Sequence, residues 1–180
     1  NPQDDSVLAR IAAATTQDVA AAVQAAQAAF RTYGRTLASE REAWLSRAAG
    51  IMEGRRAALV ELLIDEVGSP VGKAQFEVQY AIGCLRAAAG ATRRVTGQTL
   101  PSDLPGRFSM SVRQPLGVVA AISPFNVPLL KNAKLTSTPL ATGNTVVLLT
   151  SEEAPLIAHA LADIYREAGL PDGALNIVTG

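Results

Sequence analysis

Three short apolar runs, Val118–Ile122, Thr145–Leu149 and Leu175–Val178, constrain the fold of this chain more than any other feature. Each is rich in Val, Ile or Leu and lacks polar alternation, the pattern of a strand buried on both faces. Between them lie two segments with apolar residues at helical spacing. One runs from about Val127 to Ala141 and closes at Gly143-Asn144; the other runs from Pro155 to Gly169. Strand, helix, strand, helix, strand with right-handed crossovers makes the three strands parallel, which is half of a doubly wound α/β sheet. In such sheets ligands bind beyond the carboxyl ends of the strands.

The residues before this unit read differently. Thr15 or Thr16 can cap a helix whose apolar positions Val19, Ala22, Val23, Ala26 and Phe30 recur every three or four residues, and Gly34 stops it. Ser39 with Glu42 forms a capping-box pattern for a second helix carrying Trp44, Leu45, Ala48, Ile51 and Met52. Gly54 and Arg55-Arg56 predict a break, after which Leu59, Leu62 and Leu63 continue to Gly68. Pro70 opens a further helix through Val78, Ile82 and Leu85 to about Gly90. Beyond Thr96, Gly97, Pro101, Pro105 and Gly106 punctuate a loop. Arg107 to Arg113 then alternates polar and apolar, as a half-exposed strand does. The expected organisation is a helical part over 1–96, a loop and strand over 97–114, and the first three strands of a Rossmann-like layer over 115–180.

Charge narrows the function. The 180 residues carry 16 Lys+Arg and 16 Asp+Glu, a formal net charge of zero, which argues against nucleic acid or an acidic membrane surface as partner. No stretch is apolar enough for a membrane span. The opening Asn1-Pro2-Gln3-Asp4-Asp5 is polar and acidic, unlike a signal peptide. With a single cysteine, Cys84, no intramolecular disulfide can form, and a cytoplasmic location is expected. The first residue is not Met, which suggests a processed, trimmed or partial chain.

Most familiar catalytic patterns are missing. His159 lies in a helical stretch without metal-ligand spacing, and Cys84 lies inside an alanine-rich helix with no base or cation beside it in sequence. There is no phosphate loop and no G-x-G-x-x-G. Asp65-Glu66 and Glu152-Glu153 read most simply as solvated faces or as charges favoured at helix N-termini.

The run Pro115-Leu116-Gly117-Val118-Val119-Ala120-Ala121-Ile122-Ser123-Pro124-Phe125-Asn126-Val127-Pro128 resembles the aldehyde dehydrogenase superfamily. So do Pro139-Leu140-Ala141-Thr142-Gly143-Asn144-Thr145-Val146-Val147-Leu148 and the closing segment from Glu167-Ala168-Gly169 to Val178-Thr179-Gly180. Three motifs in the family's order make the signal specific. The resemblance spans the whole chain but matches the amino-terminal part of the family alone. It implies an oxidoreductase that converts an aldehyde to a carboxylic acid with NAD, or NADP, as hydride acceptor, and a homo-oligomer. The family's catalytic domain, nucleophilic cysteine and glutamate base belong to segments absent from these residues.

The resemblance also assigns roles. Asn126 matches the asparagine that donates a hydrogen bond to the oxyanion formed on the catalytic cysteine. Physically, a rigid amide just past a strand end and flanked by Pro124 and Pro128 suits that task, although a plain turn asparagine fits the same spacing. Ile122, Ser123, Pro124 and Phe125 match positions lining the cofactor cleft. Leu149 stands where the family has a ribose-binding lysine, and Thr150 follows where proline is common; both are departures, and leucine offers no hydrogen bond. Glu152 matches a glutamate that accepts from the ribose hydroxyls and would repel a 2′-phosphate, favouring NAD. It also suits the first turn of a helix. Residues Asp103 to Arg113 look like members acting on aromatic aldehydes such as benzaldehyde or salicylaldehyde. Two other readings stay open: a non-catalytic fragment or pseudo-enzyme serving as an interaction module, and a CoA-acylating or semialdehyde dehydrogenase of the same superfamily.

Overall fold

A computed structural model describes residues 1–180. Four helices come first: α1 (Thr16–Tyr33), α2 (Ala38–Gly54), α3 (Arg56–Val67) and α4 (Val71–Ala91). A short 3₁₀ turn, Thr92–Arg94, leads to β1 (Thr99–Leu100) and β2 (Ser109–Met110). Then follow β3 (Val118–Ile122), α5 (Pro128–Ala141), β4 (Thr145–Leu149), α6 (Pro155–Glu167) and β5 (Leu175–Val178). No helix is long and apolar enough to cross a membrane.

The three apolar runs are the strands expected, and they form one parallel sheet in the order β3-β4-β5. Register places Ile122 beside Leu149 and Leu149 beside Val178, so the three carboxyl ends are level. Alternation along each strand splits the sheet into two faces. Ala121, Val146 and Leu148 join the main core with Leu129, Leu140, Ile157 and Leu161 of α5 and α6. Val147 and Val178 pack instead with Ala26 of α1, and the Thr145 hydroxyl donates to the Ala26 carbonyl at 3.0 Å. Helices α2 and α4 extend the main core through Leu45, Met52, Ala81, Ile82 and Leu85.

The turns explain the motifs. Asn144 holds the α5–β4 turn against the start of β3: its Oδ1 accepts from Leu116 N at 2.6 Å and Gly117 N at 3.1 Å, while Nδ2 donates to the Thr142 hydroxyl at 2.8 Å. Arg41 Nε donates to the Ala141 carbonyl at 3.0 Å and ties α2 to the same turn. Gly68 ends α3 at φ 62, a left-handed conformation that glycine adopts without strain.

Two local expectations are corrected. The Ser39–Glu42 capping box does not form. α2 starts at Ala38, and Glu40 accepts from the Leu37 amide at 2.7 Å, so the first turn sits further back than the Ser-x-x-Glu pattern implies. The alternating stretch from Arg107 to Arg113 pairs over Ser109–Met110 alone, antiparallel to Thr99–Leu100. Pro101 and Pro105 lie in the connecting loop and cannot donate to a longer ladder. At its base the chains approach so closely that a Cβ on Gly97 would lie 1.9 Å from the Ser111 carbonyl oxygen. Thr15, by contrast, caps α1 in a reciprocal pair with Asp18, as expected.

Candidate functional site

The carboxyl ends of β3 and β4 each run into a turn and then a helix whose first residue is proline. The β3–α5 turn carries five of the sequence-derived candidates. Ile122, at the strand end, is 76 % exposed; Ser123 is buried; Pro124, Phe125 and Asn126 are exposed. The β4–α6 turn carries the others: Leu149 is half-buried at the strand end and Glu152 is exposed two residues before α6's N-cap, Ala154. The candidates fall into two groups and not one. Ile122 and Leu149 are register neighbours and line an apolar groove of about 490 Å³ with Val19 and Val23 of α1 and Val178. Phe125 and Asn126 line a separate polar pocket of about 260 Å³ with Gly68, Ser69 and Lys73.

Asn126 makes no side-chain hydrogen bond, so its amide is free to donate into that pocket. Lys73 Nζ donates to the Ser69 hydroxyl at 2.7 Å and lies 3.5 Å from Glu77. Glu77 is fully buried, and burial pushes its carboxyl above the ordinary value despite amide hydrogen bonds and Lys73, which act the other way. Its Oε1 accepts from the Leu129 amide at 2.7 Å and the Leu130 amide at 3.3 Å, the first free N–H groups of α5. Glu66 repeats the device at the other turn: it accepts from Leu156 N at 2.5 Å and Ile157 N at 2.9 Å at the start of α6. Burial raises the Glu66 carboxyl too. The acid pair Asp65-Glu66 thus contains a helix N-terminal charge, but for a helix far along the chain.

The remaining candidates are peripheral. Cys84 is half-buried in α4, and burial pushes its thiol up, more than the Lys134 charge brings it down. A thiol so placed is a poor nucleophile at neutral pH. His159 is exposed on α6, and no cluster of His, Cys, Asp or Glu could hold a metal ion. Sequence reasoning missed Glu77, Lys73 and Ser69 around Asn126, as well as an exposed aromatic pair on α4. Phe76 and Tyr80 pack with their rings tilted by 33° and centroids 4.2 Å apart, 49 % and 55 % exposed. Spacing of three, four and seven residues from Lys73 puts Phe76, Glu77 and Tyr80 along the helix stripe that includes it.

A level-ended parallel sheet with two anchored β–α turns is a doubly wound type of α/β layer, in which ligands bind beyond the carboxyl ends of the strands. Ile122, Leu149 and Val178 give the groove an apolar lining at the carboxyl ends of the strands, and Glu152 is exposed in the turn after β4. The chain belongs to the aldehyde dehydrogenase family, whose profile matches residues 1–180. It is 41 % identical over 179 residues to a vanillin dehydrogenase of Pseudomonas sp. (strain HR199 / DSM 7063), covering 99 % of this chain and 37 % of that protein. It is 39 % identical over 180 residues to a malonate-semialdehyde dehydrogenase of Bacillus pumilus, covering all of this chain and 37 % of the relative. A crystal structure of an NAD-dependent benzaldehyde dehydrogenase from Corynebacterium glutamicum superposes with a TM-score of 0.94 at 38 % identity, over 98 % of this chain and 39 % of that one. The chain therefore spans little more than a third of the length of these relatives.

Proposed function

We propose that these residues are the amino-terminal, cofactor-binding part of an NAD(P)-dependent aldehyde dehydrogenase that oxidises an aldehyde to a carboxylic acid. The observation that carries the reading is Asn126, an exposed, unpaired amide lining a pocket past the end of β3, in a member of this family. Its Nδ2–H groups donate to the substrate oxygen as negative charge develops there. The half-buried Cys84 is unsuited to attack a carbonyl, so the nucleophile is expected from outside residues 1–180. The nicotinamide, when bound, supplies the hydride acceptor. Ile122 and Leu149 offer its carrier an apolar floor, Ser123, Pro124 and Phe125 follow in the turn at the end of β3, and the exposed Glu152 favours NAD over NADP by repelling a 2′-phosphate.

An aromatic aldehyde is the proposed substrate class. Its support is the exposed Phe76–Tyr80 pair on the stripe that carries Lys73, together with the vanillin and benzaldehyde relatives. A semialdehyde is the second reading, favoured by the Lys73 ammonium at the Asn126 pocket and by the malonate-semialdehyde relative. A homo-oligomer is proposed through the β1–β2 arm, where Leu100, Leu104, Phe108, Met110 and Val112 are all exposed. Cytoplasmic location is in keeping with the lone free thiol.

The test is NADH formation by the intact protein with benzaldehyde, vanillin and a short semialdehyde, with the product identified. Free aromatic acid supports the main reading, and preference for the semialdehyde supports the second. A CoA thioester product, or no turnover with any aldehyde, overturns both, the latter in favour of a non-catalytic interaction module. Residues 1–180 alone are expected to be inactive.

A further inference from the structure

Asn126 is exposed and unpaired, so nothing it touches holds its amide in place; its direction is set by the backbone of the turn it sits in. That turn ends where α5 begins, and α5 lacks the usual means of fixing its own start. Its N-cap is Val127, which has no polar side chain, and its first residue is Pro128, which has no N–H. The first intrahelical bond runs from Lys131 N to the Val127 carbonyl at 2.9 Å. The two amides left over, Leu129 and Leu130, both end on Glu77 Oε1. A Ser or Asp at position 127 would satisfy an amide locally, without burying a charge. The carboxylate from α4 does what a local cap cannot: it ties the turn to the helix that also carries Lys73, on the opposite wall of the Asn126 pocket.

We propose that Glu77 is a positioning residue for Asn126, fixing through Leu129 and Leu130 the turn that aims the Asn126 amide at the reacting oxygen. The proposal rests on the reading of Asn126 as oxyanion donor. Glu77 touches no substrate. Its second oxygen has no hydrogen bond, and the 3.5 Å approach of Lys73 is the single charge that faces it. The buried carboxylate is thus held by the turn and by Lys73 alone, which makes the α5 start dependent on it.

The experiment is a double-mutant cycle on the intact protein, with benzaldehyde and NAD, measuring kcat and KM. Asn126→Ala is expected to lower kcat by about 10²–10³-fold, as loss of one oxyanion donor does. Glu77→Ala is expected to lower kcat about tenfold or more, with KM for benzaldehyde changed less than about threefold, because the lost interaction is made in the transition state. The double variant should be no slower than Asn126→Ala within about threefold, since residues acting through one group are not additive. Glu77→Gln keeps an oxygen acceptor for both amides and should retain kcat within about threefold. Losses that multiply in the double variant, or full kcat in Glu77→Ala while Asn126→Ala is slow, overturn the proposal. Full kcat in Asn126→Ala overturns the oxyanion reading itself, and the proposal with it. Should Glu77→Ala not fold, amide exchange in Glu77→Gln decides: protected Leu129 and Leu130 amides with normal kcat support the proposal, and unprotected amides with normal kcat overturn it.

Discussion

Leu149→Lys tests the position at which the sequence resemblance implies a lysine. Leu149 ends β4, half-buried, with Ile122 and Val178 as register neighbours and Val19 and Val23 across the groove. Burying a leucine fully stabilises by ~1.5–3 kcal/mol, so a half-buried one contributes about 1 kcal/mol. A lysine stem covers much of the same surface while its ammonium reaches water, so the substitution should cost less than about 1 kcal/mol of stability. Against a ribose hydroxyl the ammonium gains a charge-assisted hydrogen bond of ~1.5–3 kcal/mol. Ordering the long side chain, which stays partly in water, offsets about 1 kcal/mol of that, less than the ~1.5–2 kcal/mol of full burial. The net gain of about 0.5–2 kcal/mol corresponds to NAD binding about two- to thirtyfold tighter. Calorimetric titration of NAD into the intact wild-type, Leu149→Lys and Leu149→Met proteins measures it. Methionine, of similar length but without a donor, should leave affinity unchanged. Equal or weaker binding in the lysine form would refute the placement of Leu149 against the cofactor.

The two capping carboxylates predict a pH dependence. Burial raises Glu66 and Glu77 above the ordinary value of 4.5, so the folded state binds more protons than the unfolded state just above that pH. Their contribution is fully present below about pH 4.5 and is lost as pH climbs through the raised values, and a Glu66→Gln/Glu77→Gln protein, melted beside wild type from pH 4 to 8, should lack that decline. A decline of equal size in both proteins would contradict the assignment. Glu66→Ala strips two amides from the start of α6. At ~1–3 kcal/mol for each buried group left unsatisfied, and toward the lower end because both amides are only partly buried, about 2–4 kcal/mol of stability should be lost; an unchanged Tm would show that water replaces the carboxylate. Cys84, with its thiol pushed up by burial, should alkylate with iodoacetamide more slowly at pH 7 than free cysteine, and Cys84→Ser should leave NADH formation by the intact protein unchanged.

The sheet was legible because its signals are local. Val118–Ile122, Thr145–Leu149 and Leu175–Val178 are apolar runs flanked by Gly117, Pro124, Asn144, Gly173 and Gly180, and their ends fall where the flanks predict. Asn126 was legible as a candidate because its prolines and its place after a strand are local as well. What surrounds it was not. Glu77 lies 52 residues from the amide it caps, and Glu66 lies 90 residues from Leu156. Helical spacing does put Glu77 on the buried stripe of α4, three residues after Ala74 and four before Ala81, but spacing cannot say which distant amides a buried carboxylate meets. The Arg107–Arg113 alternation misled for the complementary reason: a strand is as long as its partner permits, and the partner here is interrupted by prolines.

The most direct test of the central claim is kcat for NADH formation from benzaldehyde by the intact protein and its Asn126→Ala variant. Asn126 is exposed and unpaired, so the substitution should leave Tm within about 2 °C, since an exposed site changes stability by less than ~0.5 kcal/mol. With KM for NAD changed less than about threefold, kcat should fall by about 10²–10³, equivalent to ~2.7–4 kcal/mol of transition-state stabilisation. An Asn126→Ala protein that folds, binds NAD and turns over at the wild-type rate would contradict the account.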